Sequence, residues 1–353
     1  MSVSKMSDGK RWKVTLRYKD YTGRIRQHKK EGFTRKSDAK DYERDFLQRV
    51  NGSPGMTIKA LYTLYMEDCA HRLKPSTIHN KVNMFETHIL PELSGCPVSE
   101  ITPASVRQWQ NGLLKKNLKP STVKIINAQL SALLNFAVKF YGLTQNPCKL
   151  AGSIGSLKTE EMRILTPEQF AAVLNEVKEP TANALFYLLF WTGMRVGEAQ
   201  ALTPSDFDFS APSVRISKTY RMMSGQHIIS TPKTEKSNRT VILTNETSDR
   251  MQAYIFNLFG CSSRTRIFGT RSLSWYRKQL IDGCRAAQLE PIRIHDLRHS
   301  HASLMIEIGV SPLLIAERLG HDNVNTTLKT YSHLYPNKQR DFIERLNRLD
   351  FAF

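Results

Sequence analysis

Five short segments in the second half of the chain carry side chains suited to one kind of chemistry. "TGMRVGEA" presents Arg195 with Glu198 three residues on, "TPKTEKSNRT" presents Lys233 and Lys236, and "HDLRHSH" presents His295 and Arg298. "LGHDN" adds His321 directly after Gly320, and "LKTYSHL" adds Tyr331. Attack on a phosphodiester requires a nucleophile, a general acid and base, and positive donors around the non-bridging oxygens, where charge accumulates in the transition state. Arg195 falls at an expected helix end with Glu198 close enough to hold its guanidinium, and a spacing of three puts His295 and Arg298 on one helical face. A tyrosine with a pKa of about 10 attacks poorly at neutral pH unless a base and a cationic pocket assist it. Taken singly, each residue has a plainer reading. An Arg–Glu pair is commonly a surface ion pair, lysines in a charged turn face solvent, and Tyr331 suits a half-buried structural position. Their conjunction is what points to phosphodiester chemistry. A metal centre at His295, His299 and His301 is disfavoured, because the HExxH pattern is absent and no cysteine lies near. The chain also lacks a GxxxxGK[ST] phosphate loop.

The composition agrees with a polyanionic partner. The chain has 353 residues with 51 Lys and Arg against 32 Asp and Glu, a formal net charge of +19 that makes nucleic acid the first expectation. Residues 1–50 alone hold 15 Lys and Arg against 7 Asp and Glu, which reads as a dedicated electrostatic footprint. The longest strongly apolar stretch, "ALFYLLFW" at 184–191, is too short to cross a bilayer and the N-terminus lacks an apolar signal core, so the expected location is the cytoplasm, with no membrane partner. Five scattered cysteines without CxxC spacing indicate neither a disulfide framework nor a zinc knuckle and read as reduced, packed thiols.

These residues need elements to position them. In "RWKVTLRY", Trp12, Val14, Leu16 and Tyr18 share one strand face and Lys13, Arg17 and Lys19 the other. "RIRQHKKEGF" reads as one or two further strands, and "RKSDAKDYERDFLQRV" as a helix with Ala39, Tyr42, Phe46 and Val50 on one face. "NGSPG" at 51–55 is a linker by composition. From residue 56 to about 150 the pattern is helical, and "LKPST" occurs twice, at 73–77 and 118–122, each time opening an apolar-periodic helix. Pro at the helix entrance with capping hydroxyls is the expected arrangement, and the free N–H groups there could also meet phosphate. "AGSIGSLKTEEM" at 151–162 is a second hinge. "LTPEQFAAVL" then opens a Thr-capped helix with Pro167 in its first turn, followed by a buried helix. "SVRISKTY" and "HIISTPKTEKSNRTVIL" read as a strand pair with a charged turn, and "QRDFIERLNRLDFAF" as a terminal helix able to pack on its own domain or a neighbour.

The ordered set "TGMRVGE", "PKTEKSNR", "HDLRHSHAS" and "LGHDNVNTTLKTYSHL" resembles the catalytic domain of the tyrosine recombinases, or phage integrases, in residue type, order and approximate separation. The N-terminal segment is similar to the arm-type DNA-binding domain of integrases from conjugative transposons and temperate phages, and the "LKPST" helices to their core-binding domain. The resemblance implies a multidomain, mainly α protein with small β-sheets. Its parts would be a sheet-plus-helix arm-binding domain (1–52), an all-α SAM-like core-binding domain (56–150) and a mixed α+β catalytic domain (163–353). It implies that Arg195 and Arg298 clamp the scissile phosphate and that Lys233 is the general acid, preferred over Lys236. His295 would be a base candidate, His321 a phosphate donor, and Tyr331, rather than Tyr335, the nucleophile forming a 3′-phosphotyrosyl link. No ATP, metal or other cofactor is implied, because the phosphotyrosine stores the bond energy. The implied partners are double-stranded DNA at core and arm sites, three further copies in a tetramer on DNA, and an accessory directionality factor, in a bacterial cytoplasm at the nucleoid. Competing expectations are a type IB topoisomerase, a non-catalytic DNA-binding regulator and, weakest, a metal-dependent nuclease.

Overall fold

The alternating residues of "WKVTLRYK" form the middle strand of a three-stranded antiparallel sheet. Its strands are β1 (Val3–Lys5), β2 (Trp12–Lys19) and β3 (Ile25–Phe33), so the third segment is one strand and not two. The structure, a computed structural model, describes residues 3–6, 10–19, 25–51, 56–156, 162–223, 225–231, 237–269, 271–332 and 343. These divide into two compact units, Met1–Thr159 and Glu160–Phe353.

In the first unit, helix α1 (Lys36–Asn51) covers the sheet face carrying Val14 and Leu16, which are buried together with Ala39. Leu16 pairs with His28, whose ring stacks on Phe46 at 4.1 Å and bonds the Tyr42 hydroxyl at 2.8 Å. The Val50 side chain, placed on the same helical face by the sequence, lies outside the described residues, as does Lys19. Six helices follow: α2 (Ile58–Ala70), α3 (Pro75–Met84), α4 (Leu90–Leu93), α5 (Pro103–Leu114), α6 (Pro120–Phe140) and α7 (Pro147–Ala151). They enclose a separate apolar core built from residues such as Leu61, Phe85, Trp109, Ile126 and Leu130. A π-helical turn at Phe85–Ile89 joins α3 to α4, where Pro91 withholds the N–H that would bond the carbonyl of Thr87. The "LKPST" segments do open α3 and α6, but with a difference. Their N-caps are Lys74 and Lys119, and neither makes a side-chain capping bond. Proline takes the first helical position, which shifts each Ser and Thr inside the first turn and out of the capping position.

The second unit opens with α8 (Pro167–Glu176), capped by Thr166 as expected, which also forms a capping box with Gln169. Next comes α9 (Pro180–Thr192), buried on nearly every side. A four-residue α10 (Val196–Ala199) leads to a sheet ordered β4 (Phe207–Asp208), β5 (Ser213–Ile216) and β8 (Arg239–Ile242). The strands between them, β6 (Thr219–Met223) and β7 (Gln226–Ser230), form their own two-stranded hairpin. "HIIS" and "RTVI" therefore flank the charged turn without pairing with each other. Val214, Ile216 and Val241 bury a shared face on the core, whereas β6 and β7 have no fully buried residue. The unit continues with α11 (Asn245–Phe256), α12 (Leu273–Ala286), α13 (Ile294–Glu307), α14 (Pro312–Leu319) and α15 (Val324–Tyr331). Helix α13 packs along α9, and α14 packs against α15. Apart from Ile343, the terminal segment at 339–353 lies outside the described residues. Among the described residues no helix is long and apolar enough to cross a membrane.

Candidate active site

The site begins where the buried helix α9 stops. Gly193 adopts φ 67°, donates its N–H to the Leu189 carbonyl and ends the helix. An added Cβ would lie 2.6 Å from both His301 Cδ2 and Leu319 Cδ2, so only glycine fits this crossing. The chain then extends through Arg195, which is the N-cap of α10. Glu198, three residues on, accepts from the Arg195 backbone N–H at 2.9 Å and from its Nη1 at 2.9 Å. The pair is not the surface contact that the local sequence allows, because Glu198 is 3% exposed while Arg195 keeps 40% of its side chain open.

Glu198 holds a second cation. Arg239 Nη2 lies 3.1 Å from Glu198 Oε2, and its Nε donates to the Arg318 carbonyl at 2.8 Å. Burial pushes the Glu198 carboxyl up, but Arg239 and the bonds from Arg195 outweigh it and hold the group below its ordinary range, so it stays ionised. Arg195 Nη2 reaches the Gly320 carbonyl at 3.4 Å. Gly320 is left-handed at φ 68°, and an added Cβ there would lie 2.7 Å from Arg239 Nη1. Arg239 thus ties β8, α10 and the end of α14 together beneath His321.

Arg298 arrives from α13. It is 3% exposed and donates Nη1 to the Gly193 carbonyl at 2.7 Å, while its Nη2 is buried without a hydrogen-bond partner. Burial and the nearby Arg195 guanidinium both act against its charge, with Glu198 opposing them. An unpaired buried guanidinium N–H beside a second arginine is a fork waiting for an anion.

The histidines around it are all held neutral at neutral pH. Burial, His299, Arg298 and Arg195 push His295 down to about 4, with Asp296 opposing; His295 is the exposed member of the group, so its open side tempers the effect. Burial, then Arg298, Arg195, Arg239 and His295, push His321 to about 4 as well. The His321 Nδ1 is engaged by the Thr327 hydroxyl at 2.8 Å, which leaves Nε2 to face a ligand. His301, 4% exposed, is pushed to about 3 by burial and by Arg318, whose Nε donates to its Nε2 at 3.1 Å.

Tyr331 ends α15 and is 1% exposed, seated among Ala302, Met305, Ile306, Ile315 and Leu319. Burial raises its pKa to about 12, with Arg298 pulling the other way. Its hydroxyl lies 2.8 Å from His299 Nδ1, and His299 in turn meets His295 edge-on with ring centroids 4.8 Å apart. Arg195, His295 and Arg298, His321 and Tyr331 therefore come together from four separate stretches of chain, His295 and Arg298 sharing α13. Lys233, Lys236 and Tyr335 lie outside the described residues. Among the described residues no group of three or more His, Cys, Asp or Glu is placed to hold a metal ion. Sequence reasoning weighed His299 only as a disfavoured metal ligand and did not single out Thr327 or Arg239. His299 was visible in "LRHSH", but its partner is fixed by how α15 lies on α13.

Three family matches cover most of the chain: residues 163–338 match the Phage integrase family, 57–114 the phage integrase N-terminal SAM-like domain, and 1–50 an arm DNA-binding domain. The chain is 29% identical to the ICEBs1 integrase of Bacillus subtilis over 99% of this chain and all of that one. It is 27% identical to the integrase of Mycobacterium phage L5 over 69% of this chain and 67% of that protein. Among solved structures it is similar to the Tn1549 transposon integrase in complex with transposon right-end DNA, with a TM-score of 0.69, 21% identity, and coverage of 83% of this chain and 100% of that one. It is also similar to a lambda integrase dimer bound to a COC′ core site, with a TM-score of 0.61, 16% identity, and coverage of 96% and 95%.

Proposed function

The chain belongs to the phage integrase family and is a site-specific tyrosine recombinase; on that premise we propose how its own residues cut and rejoin DNA when a mobile element, a conjugative transposon or prophage, is integrated and excised. Arg298 and Arg195 bind the non-bridging oxygens of the scissile phosphate, Arg298 with the Nη2 that has no other partner. His321 donates to the same group from Nε2, with Thr327 fixing its ring. Tyr331 Oη attacks phosphorus, the bond from phosphorus to the 5′ oxygen breaks, and a 3′-phosphotyrosyl link forms. Lys233 protonates the departing 5′ oxygen. His295, beside Arg298 and Arg195, contributes to the polar wall of the site. A 5′ hydroxyl from a second strand reverses the sequence and releases Tyr331, so the bond energy is conserved through the exchange.

The observation that carries this reading is the buried Arg298 fork with one N–H unpaired, set beside Arg195 and close enough to Tyr331 for its charge to act on the phenol. Three domains divide the work: residues 1–52 bind arm sequences, 56–150 and 163–353 bind the core site, and the linker at 51–55 adds avidity between them. The match to an arm DNA-binding domain favours this over a type IB topoisomerase, which joins no second duplex. Double-stranded DNA is the substrate. Exchange between two duplexes calls for a tetramer on DNA, with an accessory factor setting direction, in the bacterial cytoplasm at the nucleoid.

The test is to incubate wild type and Tyr331→Phe, in EDTA, with a nicked duplex carrying the element's own end. A denaturing gel then reads protein attached to a 3′ end. An adduct from wild type and none from the variant is the expected result. An adduct from Tyr331→Phe would transfer the role to Tyr335, and none from either protein would favour a non-catalytic DNA-binding protein.

A further inference from the structure

We propose that His299 is the proton acceptor for Tyr331: its Nδ1 takes the phenolic proton as Oη bonds to phosphorus. This rests on Tyr331 being the nucleophile. The geometry is direct, since Nδ1 stands 2.8 Å from Oη and Tyr331 is 1% exposed, which leaves bulk water little access to that oxygen. A phenol pushed up to about 12 by burial needs a base at its side to attack at neutral pH.

Helix geometry explains why the partner is residue 299. On α13, Arg298 turns inward to the Gly193 carbonyl, His301 turns inward to Arg318, and His299 is left facing α15, where Tyr331 ends the helix. His295 sits one turn earlier on α13 and touches the edge of the His299 ring. The structure therefore gives the phenol its hydrogen bond through the histidine after Arg298, and the one before it lies behind. For Nδ1 to accept, His299 must be neutral with its proton on Nε2. Burial lowers its pKa from 6.5, and the charged and titratable groups that face it are Asp296, Arg298 and His295 on α13, Arg293 at its N-cap and Tyr331 on α15. Asp296 favours the imidazolium, and Arg298 and Arg293 oppose it. Burial leads, so the lone pair is free at neutral pH.

The step balances without a further reagent. As the bond from phosphorus to Oη forms, the proton on Oη passes to Nδ1 and the 5′ oxygen leaves with a proton from the general acid. In the return step the incoming 5′ hydroxyl attacks phosphorus and gives its proton to the now deprotonated general acid, the bond to Oη breaks, and His299 returns its proton to the phenolate. One residue thus acts as base in cleavage and as acid in rejoining.

The test uses the full chain on the same nicked duplex, in single turnover. His299→Asn keeps a hydrogen-bonding amide near the Nδ1 position but removes the basicity. The expected result is adduct formation slower by about 10²-fold or more, with DNA affinity close to wild type. Wild type should gain rate as pH rises through the lowered range of the His299 imidazole, and His299→Asn should lack that rise. The second variant is His299→Ala with added imidazole, which should regain rate in proportion to the free base. The proposal is overturned if His299→Asn stays within a few-fold of wild type or is slow while keeping the wild-type pH profile. A DNA-binding His299→Ala that ignores imidazole overturns it equally. If wild type itself forms no adduct, the recombinase reading fails first, and that outcome is distinct from either variant's.

Discussion

At the scale of single residues, Tyr331 is buried more fully than the half-buried position its sequence context allowed, and its placement is compatible with the proposed role of nucleophile. It is a packed core side chain, and its oxygen points at a histidine beside a two-arginine site. Those roles are compatible because a phenol can bury its ring and keep its tip polar. Arg195, His295, Arg298, His321 and Tyr331 were legible in the sequence because each sits in a short motif whose order is informative. Arg239 and Thr327 were not, because nothing local marks an arginine at the start of a strand as the partner of a glutamate forty-one residues away. Arg298 carries the first prediction. Arg298→Lys keeps one positive charge but cannot hold the Gly193 carbonyl and a phosphate with a planar fork. Adduct formation should fall by about 10²–10³-fold in single-turnover assays while DNA affinity changes a few-fold at most.

At the scale of elements, capping was the readable signal. Thr57, Thr166, Thr244, Ser272 and Ser311 each cap a helix through the side chain, as their types suggest. Strand pairing was less readable, because β5 and β8 find each other across an intervening hairpin and only burial of Val214, Ile216 and Val241 shows it. Two left-handed glycines separate backbone strain from crowding. Gly193 (φ 67°) would press a Cβ into His301 and Leu319, whereas Gly309 (φ 86°) has nothing within 4 Å of that position. Gly309→Ala should therefore cost only the conformational term, about 1–2 kcal/mol. Gly193→Ala should cost about 2–4 kcal/mol, since overpacking adds to it. Urea denaturation compares the two, and Gly193→Ala should also slow adduct formation because the displaced carbonyl is the one that holds Arg298.

At the scale of the whole molecule, the charge of +19 explains the preference for a polyanion, but the catalytic unit limits how much further positive charge it tolerates. His295, His299, His301 and His321 are all pushed below 6.5 beside arginines that stay charged. Between about pH 6.5 and pH 3 the unfolded chain binds protons that the folded unit refuses, so stability rises with pH across that window. It is complete above 6.5 and is lost as pH falls toward the folded values. The urea midpoint should drop steadily from pH 7 to pH 4.5, and His301→Gln should flatten that slope. A midpoint independent of pH would show that these imidazoles accept protons in the folded state.

Helix α15 is only eight residues long, and Thr327 and Tyr331 are its buried side chains. The proposed nucleophile is therefore also a peg that fastens its own helix to the protein. Tyr331→Phe should leave the ring seated and the urea midpoint nearly unchanged, whereas Tyr331→Ala should empty the seat and cost about 3–5 kcal/mol. For a lineage of such elements this restricts drift at one codon. Chemistry can be lost there quietly through phenylalanine, while almost any other exchange also loosens the helix, so inactive descendants that still fold and still occupy DNA should reach that state by a narrow route.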